Sequence, residues 1–215
     1  VEPPPMDTAT IPPVPAPKAL DITAAVLERA NAEFHLDVRD PRDHEVIDGY
    51  IRRTGLGWAG AVIGANGEVL TGRAYTLNGD FQWCGAFGAH CWGFPGGLKA
   101  TIRHKSLAGA SRLYRWGQAV PERIVPRSQI RPGCLLAMGY APGKRRGPLQ
   151  GSHIGIAATA PEGGMIWTRE GNAHGTGPTG ERIEGVITQH RSIDPGPDEY
   201  GVLWAYWPLP GDLEG

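Results

Sequence analysis

Apolar residues recur at helical spacing in the first half of the chain and gather into short continuous runs in the second. Ile22, Val26, Ala30 and Phe34 fall on one stripe with Leu27 beside it, which predicts a helix beginning after Asp21. A second helix is predicted after Asp43, with Val46, Ile47, Tyr50 and Ile51 facing the core and Thr54-Gly55-Leu56-Gly57 ending it. The span from Val62 to Ala74 fits a small hairpin around Ala65-Asn66-Gly67-Glu68. Phe81, Cys84, Phe87, Gly88 and Cys91 then share one face of a short helix, with Asp80 as its N-cap and Phe94-Pro95-Gly96-Gly97 closing it. Leu98 to Trp116 reads as helix in one or two pieces, with Leu98, Ile102, Leu113 and Trp116 apolar.

The texture changes at Arg131. Pro132-Gly133 is a turn, and Cys134-Leu135-Leu136-Ala137-Met138 is continuous enough for a strand buried on both faces. A solvated loop holding Lys144, Arg145 and Arg146 follows. Ser152 to Ala158, Met165 to Arg169, Arg182 to Thr188 and Val202 to Trp207 are the remaining predicted strands. Helices first and consecutive strands afterwards predict an α+β domain, an antiparallel sheet packed against the cysteine helix. No internal repeat is visible.

Composition narrows the picture. A chain of 215 residues, 40% of them hydrophobic, suffices for one domain with a sizeable core. Its 32 glycines and 20 prolines approach low-complexity composition, but seven tryptophans argue for turns and loops rather than disorder. Pro3, Pro4, Pro5, Pro12, Pro13, Pro15 and Pro17 make residues 1–18 an extended, polyproline-like linker or tail, either tethering the domain to something else or packed along its surface. Residues 19–211 then form the single domain. A net charge of −1 with no basic block gives nucleic acid no electrostatic footprint. No apolar run reaches membrane-spanning length, and no signal peptide is present, although a chain opening without methionine is compatible with one removed. Three cysteines are an odd number, so at least one thiol is free or pairs between chains.

Cys84 carries the candidate chemistry. A thiol in the first turn of a helix meets the positive end of the helix dipole and unpaired N–H groups, both of which favour the thiolate. Free cysteine is also a common core residue, and Cys91 reads as one. A thiolate nucleophile needs an imidazole and a group that orients it. His35, His44 and His104 lie on polar stretches, His90 stands nearly two turns from Cys84, and His174 and His190 fall in or near loops. His153 opens an apolar strand. With Ala158 opposite Met165 in a simple hairpin, His153 faces Glu170 directly and Asn172 projects on the same face; a slip of one residue would turn both away. A zinc site drawing on His153, His174 and a carboxylate is the rival chemistry, although CxxC, HxxxH and HExxH spacings are absent.

Trp83-Cys84-x-x-Phe87, then Pro132-Gly133, then His153-Ile154-Gly155-Ile156, then Glu170-Gly171-Asn172 resembles the pattern of CHAP domains in the NlpC/P60 superfamily, papain-like cysteine amidases and endopeptidases that cut bacterial peptidoglycan. The resemblance spans roughly residues 79 to 190. Cys134 stands where that pattern has an aspartate, and the insertion before Pro132 is long. The resemblance implies a papain-like fold, Cys84 as nucleophile, His153 as base and Glu170 as third member, with Asn172 as its alternate or as an orienting group. It further implies no metal or organic cofactor and a monomer acting on peptidoglycan in the bacterial envelope or periplasm; substrate contacts do not carry over across the long insertion, and Gln82, Trp83 and Trp167 are this chain's own candidates for them. An antibacterial effector of this kind would have a cognate inhibitor. A papain-like hydrolase or transferase acting on another amide, and a non-catalytic wall-binding module, are the competing readings.

Overall fold

A computed structural model describes residues 19–34, 83–92, 110–142, 152–176 and 180–209, with residues 36, 37, 40, 42, 43, 46, 47, 49, 62, 63, 69, 70 and 212. Several expectations fall outside these residues: the 1–18 segment, Asp80, Phe81 and Gln82, Tyr50 and Ile51, His35, His44 and His104, the turns at 54–57, 65–68 and 94–97, the first part of the 98–116 helix, and the 144–146 loop.

The architecture is mixed α+β. Helix α1 (Ala19–Ala32) starts two residues before the predicted boundary, placing Asp21 inside it. Val26 and Ala30 are its buried contacts. After Asp43 a helical turn buries Ile47 but leaves Val46 37% exposed, so Val46 is not a core residue as the periodicity predicted. Strands β1 (Val62–Ile63) and β2 (Val69–Leu70) form the small antiparallel pair. Helix α2 (Cys84–Cys91) is almost wholly buried, and Cys84 is its first helical residue. Its N-cap is Trp83 rather than Asp80, and no side chain caps it. Helix α3 (Ala110–Gln118) buries Leu113 and Trp116.

Two single-turn 3₁₀ segments, Pro121–Arg123 and Arg127–Gln129, flank a short strand β3 (Ile124–Val125) that the hydrophobic pattern did not reveal. Then come β4 (Leu135–Tyr140), β5 (His153–Ala157), β6 (Met165–Thr176), β7 (Arg182–Ser192) and β8 (Tyr200–Tyr206). Their order is β3-β8-β4-β5-β6-β7, and β7 returns to β8 through a parallel pairing of Ser192 with Gly201, closing five strands into a barrel. The expected antiparallel sheet is present, but it curls and closes instead of lying open.

Alternation along β4 shows why its run is continuously apolar. Leu135 and Ala137 join the cluster beneath the helices, with Val26, Ala30, Ile47, Phe87, Trp116, Ile154 and Tyr206. Cys134, Leu136 and Met138 join a second cluster on the other face, with Ile130, Ala157, Ile166, Val202 and Ala205. Helix α2 packs most tightly at Gly171 of β6, where an added Cβ would lie 2.5 Å from Phe87 Cβ and 2.8 Å from Trp83 Cζ3. Only glycine lets the helix come so close to the strand. Gly171→Val is therefore expected to destabilise by about 1–3 kcal/mol through overpacking, read as a fall in calorimetric Tm. Gly49→Ala, with open space around the position, should leave Tm unchanged or slightly raised.

Candidate active site

The β5–β6 hairpin places the histidine and the carboxylate. Gly163 and Gly164, at φ 57° and 80°, form a tight turn in which Glu162 pairs with Met165. Residues 158–161 then face only residues 166 and 167, so the ladder resumes with Ala157 opposite Thr168 and Gly155 opposite Glu170. The predicted register, His153 against Glu170, is thus wrong by two residues. Because side chains alternate with a period of two, the displacement keeps both groups on one face. Gly155 makes the diagonal approach feasible: a Cβ there would stand 3.0 Å from Glu170 Cγ and 2.9 Å from Met138 Cε.

His153 Nε2 lies 3.1 Å from Glu170 Oε2, with the imidazole side chain 13% exposed and the carboxylate fully buried. The two groups form a close ion pair. On its other side the imidazole hydrogen-bonds the Cys84 thiol. Burial pushes the thiol pKa up, but the charge and hydrogen bond of His153, with the backbone N–H groups of Ile154 and Gly85, bring it below its ordinary value. Burial works against the imidazolium too, yet Cys84 and then Glu170 hold it well above the usual histidine range. Both shifts favour the thiolate–imidazolium pair over the neutral thiol and imidazole. The pair is lost when the thiolate takes up a proton on the acid side and when the imidazolium gives one up on the alkaline side.

Glu170 has partners that the sequence reading missed. Arg191 donates from Nε to Oε1 at 2.7 Å and from Nη2 to Oε2 at 2.6 Å. The Thr168 hydroxyl donates to Oε1 at 2.6 Å. Burial raises this carboxyl, but Arg191 and His153 reverse that and hold it down at about 2. Asn172, the proposed alternate, sits at φ 56° where the β6–β7 register shifts between Glu170 and Ala173. The groups that meet His153 are Glu170 and Cys84.

The expected substrate contacts fare differently. Trp83 is fully buried and packs under Gly171, so it is a core residue and not a surface for a ligand. Trp167 is 47% exposed and stacks on His190 at 4.5 Å, but its position in β6 puts it on the face opposite Glu170. Gln82 lies outside the described residues. His90 pairs with Glu33 at 3.6 Å and His174 with Glu184 at 3.7 Å. Among the described residues no three or more His, Cys, Asp or Glu side chains come together as a metal-binding group. The cysteines are all free and buried, Cys84 included at 0% exposure.

Comparison with protein-family models, curated proteins and solved structures finds no match. Burial pushes Cys91 up out of the physiological range and Cys134 up to about 11. One thiolate equivalent of ultraviolet absorbance is thus expected to titrate below pH 9. It should vanish in Cys84→Ala, move to higher pH in His153→Gln, and remain in Cys91→Ala and Cys134→Ala.

Proposed function

We propose that this chain is a cysteine hydrolase of amide bonds with a papain-like, CHAP-type domain, and that its substrate is peptidoglycan. One observation carries the reading: a thiol at the first residue of a helix, an imidazole and a buried carboxylate form a continuous chain from α2 through β5 to β6. They are the residues, in the same order along the chain, that the resemblance to CHAP domains points to. The Cys84 thiolate attacks the amide carbonyl. N–H groups at the start of α2, which have no partner within the helix, face the developing oxyanion. His153 gives its proton to the leaving amine, then takes one from the water that clears the thioester. Glu170 keeps the imidazolium oriented and charged.

Full burial of Cys84 favours a second reading, a wall-binding module in which the thiol is structural. In that case Trp167, stacked on His190 and open on the sheet surface, is the obvious platform for a sugar ring. In the catalytic reading substrate enters past His153, the exposed member of the chain of groups, and the cover over Sγ opens during binding. An antibacterial role in the bacterial envelope, with a cognate inhibitor, is an extension of the same reading. No helix among the described residues is long and apolar enough to cross a membrane.

Purified peptidoglycan should yield new amino termini on incubation with the protein, identified by mass spectrometry of the digest. Cys84→Ala and His153→Ala should each lower that rate by at least about 10³-fold with circular dichroism unchanged. Retained cleavage in Cys84→Ala overturns the mechanism. A wild-type thiol that resists alkylation at neutral pH even with peptidoglycan present, and no new termini, favours the binding module.

A further inference from the structure

We infer that Arg191 is a positioning residue of this site, holding Glu170 by both oxygens and offsetting its charge so that His153 faces a balanced carboxylate instead of a bare one. The inference rests on the Cys84–His153–Glu170 reading above and asks how that site works with a carboxylate as its third member. A neutral amide in that position would orient the ring without charge. A fully buried carboxylate must be compensated, because an unpaired buried ion is severely destabilising.

The compensation is built from strands that the sequence keeps far apart. Glu170 lies opposite Ile187, whereas Arg191 lies opposite Ile166, one full step along the same face beyond Thr168. The guanidinium reaches back across Thr168 to meet the carboxylate side-on, at 2.7 Å on Oε1 and 2.6 Å on Oε2. Thr168 takes a second lone pair on Oε1 and His153 faces Oε2, so the carboxylate has little freedom to turn. Arg191 is itself held, its guanidinium lying 5.0 Å over the Tyr200 ring. Tyr200 hydrogen-bonds Ser152, the neighbour of His153, and burial, then Glu170, push its hydroxyl up to about 12, so it adds no charge.

Four further elements thus build the surroundings of the β5 imidazole: Cys84 from α2 and Glu170 from β6 meet it directly, while Arg191 from β7 holds Glu170 and Tyr200 from β8 lies against Arg191. With thiolate, imidazolium, carboxylate and guanidinium in place the cluster is neutral. Without Arg191 it carries one net negative charge against His153. The imidazolium is then held more firmly and protonates a leaving amine less readily.

The test titrates His153 by NMR of the labelled imidazole and Cys84 by thiolate absorbance, so it needs no substrate. It uses the full chain as wild type, Arg191→Met, Arg191→Lys, Glu170→Gln and the double variant Glu170→Gln/Arg191→Met. The imidazolium pKa is expected to rise in the order Glu170→Gln, double variant, wild type, Arg191→Met, with the last about one unit above wild type. Arg191→Lys, which keeps the charge, should stay near wild type even if its Tm falls. A merely structural arginine would change Tm without this order. If Arg191→Met titrates like wild type, or Arg191→Lys shifts as far as Arg191→Met, the inference is overturned. Should Arg191→Met fail to fold, Glu170→Gln against the double variant carries the decision, and equal values there overturn it. A chain that titrates in this order yet leaves peptidoglycan intact keeps the clamp and loses only the substrate reading. Cleavage with a silent Arg191 does the reverse.

Discussion

A carboxylate with no solvent exposure is the constraint around which the sheet is arranged. Removing an ion from water costs several kcal/mol even after relaxation, and only close partners with good geometry offset that. Glu170 has such partners on every side: a guanidinium from β7, a hydroxyl from its own strand and an imidazole from β5. Losing Arg191 leaves the buried carboxylate without its charge partner, a loss of about 3–5 kcal/mol for a broken buried pair. The network therefore couples the register of three strands to the ionisation of the site. A one-residue slip of β5 or β7 would remove a charged partner as well as misplace apolar side chains.

The backbone is fitted to that requirement. Gly155 vacates the space that Glu170 Cγ and Met138 Cε occupy, and Gly171 vacates the space taken by Phe87 and Trp83 on the opposite face. Between them Glu170 points one way while α2 is drawn down from the other side, so the first residue of α2 meets the imidazole. The register irregularity after Glu170, with Asn172 in the left-handed region, comes directly after this crowded point. A bulge re-aims a side chain and increases local twist. Here it falls where β6 must both seat the carboxylate and bend with the closing barrel.

Much of this was legible, and what was missed has physical causes. Periodicity located α2, β4, β5 and β8 because each buries a face or both faces. The pairing of His153 with Glu170 survived a register error because the error was two residues; parity, not register, carried the inference. Arg191 was invisible because Arg182 to Thr188 was read as ending where the residues turn polar. Its continuation to Ser192 is held by pairing with β6 and by the long-range contact with β8, neither of which leaves a local signal. Trp83 read as a ligand surface because an aromatic beside a cysteine looks functional; its burial depends on Gly171, 88 positions later, having no side chain.

The same burial that creates the ion pair sets the terms of its use. Away from water the attraction between a Cys84 thiolate and a His153 imidazolium is screened less, which favours the charged pair against the desolvation that opposes it. On the proposed mechanism, admitting an amide to Sγ must not admit bulk water to Glu170, or the balance of charges around the imidazole would weaken when the proton has to move. The positions of the groups are consistent with that demand. The carboxylate is the innermost member, fully buried against Arg191 and Thr168, while the imidazole and the guanidinium, at 13% and 22% exposure, both reach solvent. On the proposed mechanism, an opening on the Cys84–His153 side can expose the sulfur while the Glu170 carboxylate, held by Arg191 and Thr168, stays buried.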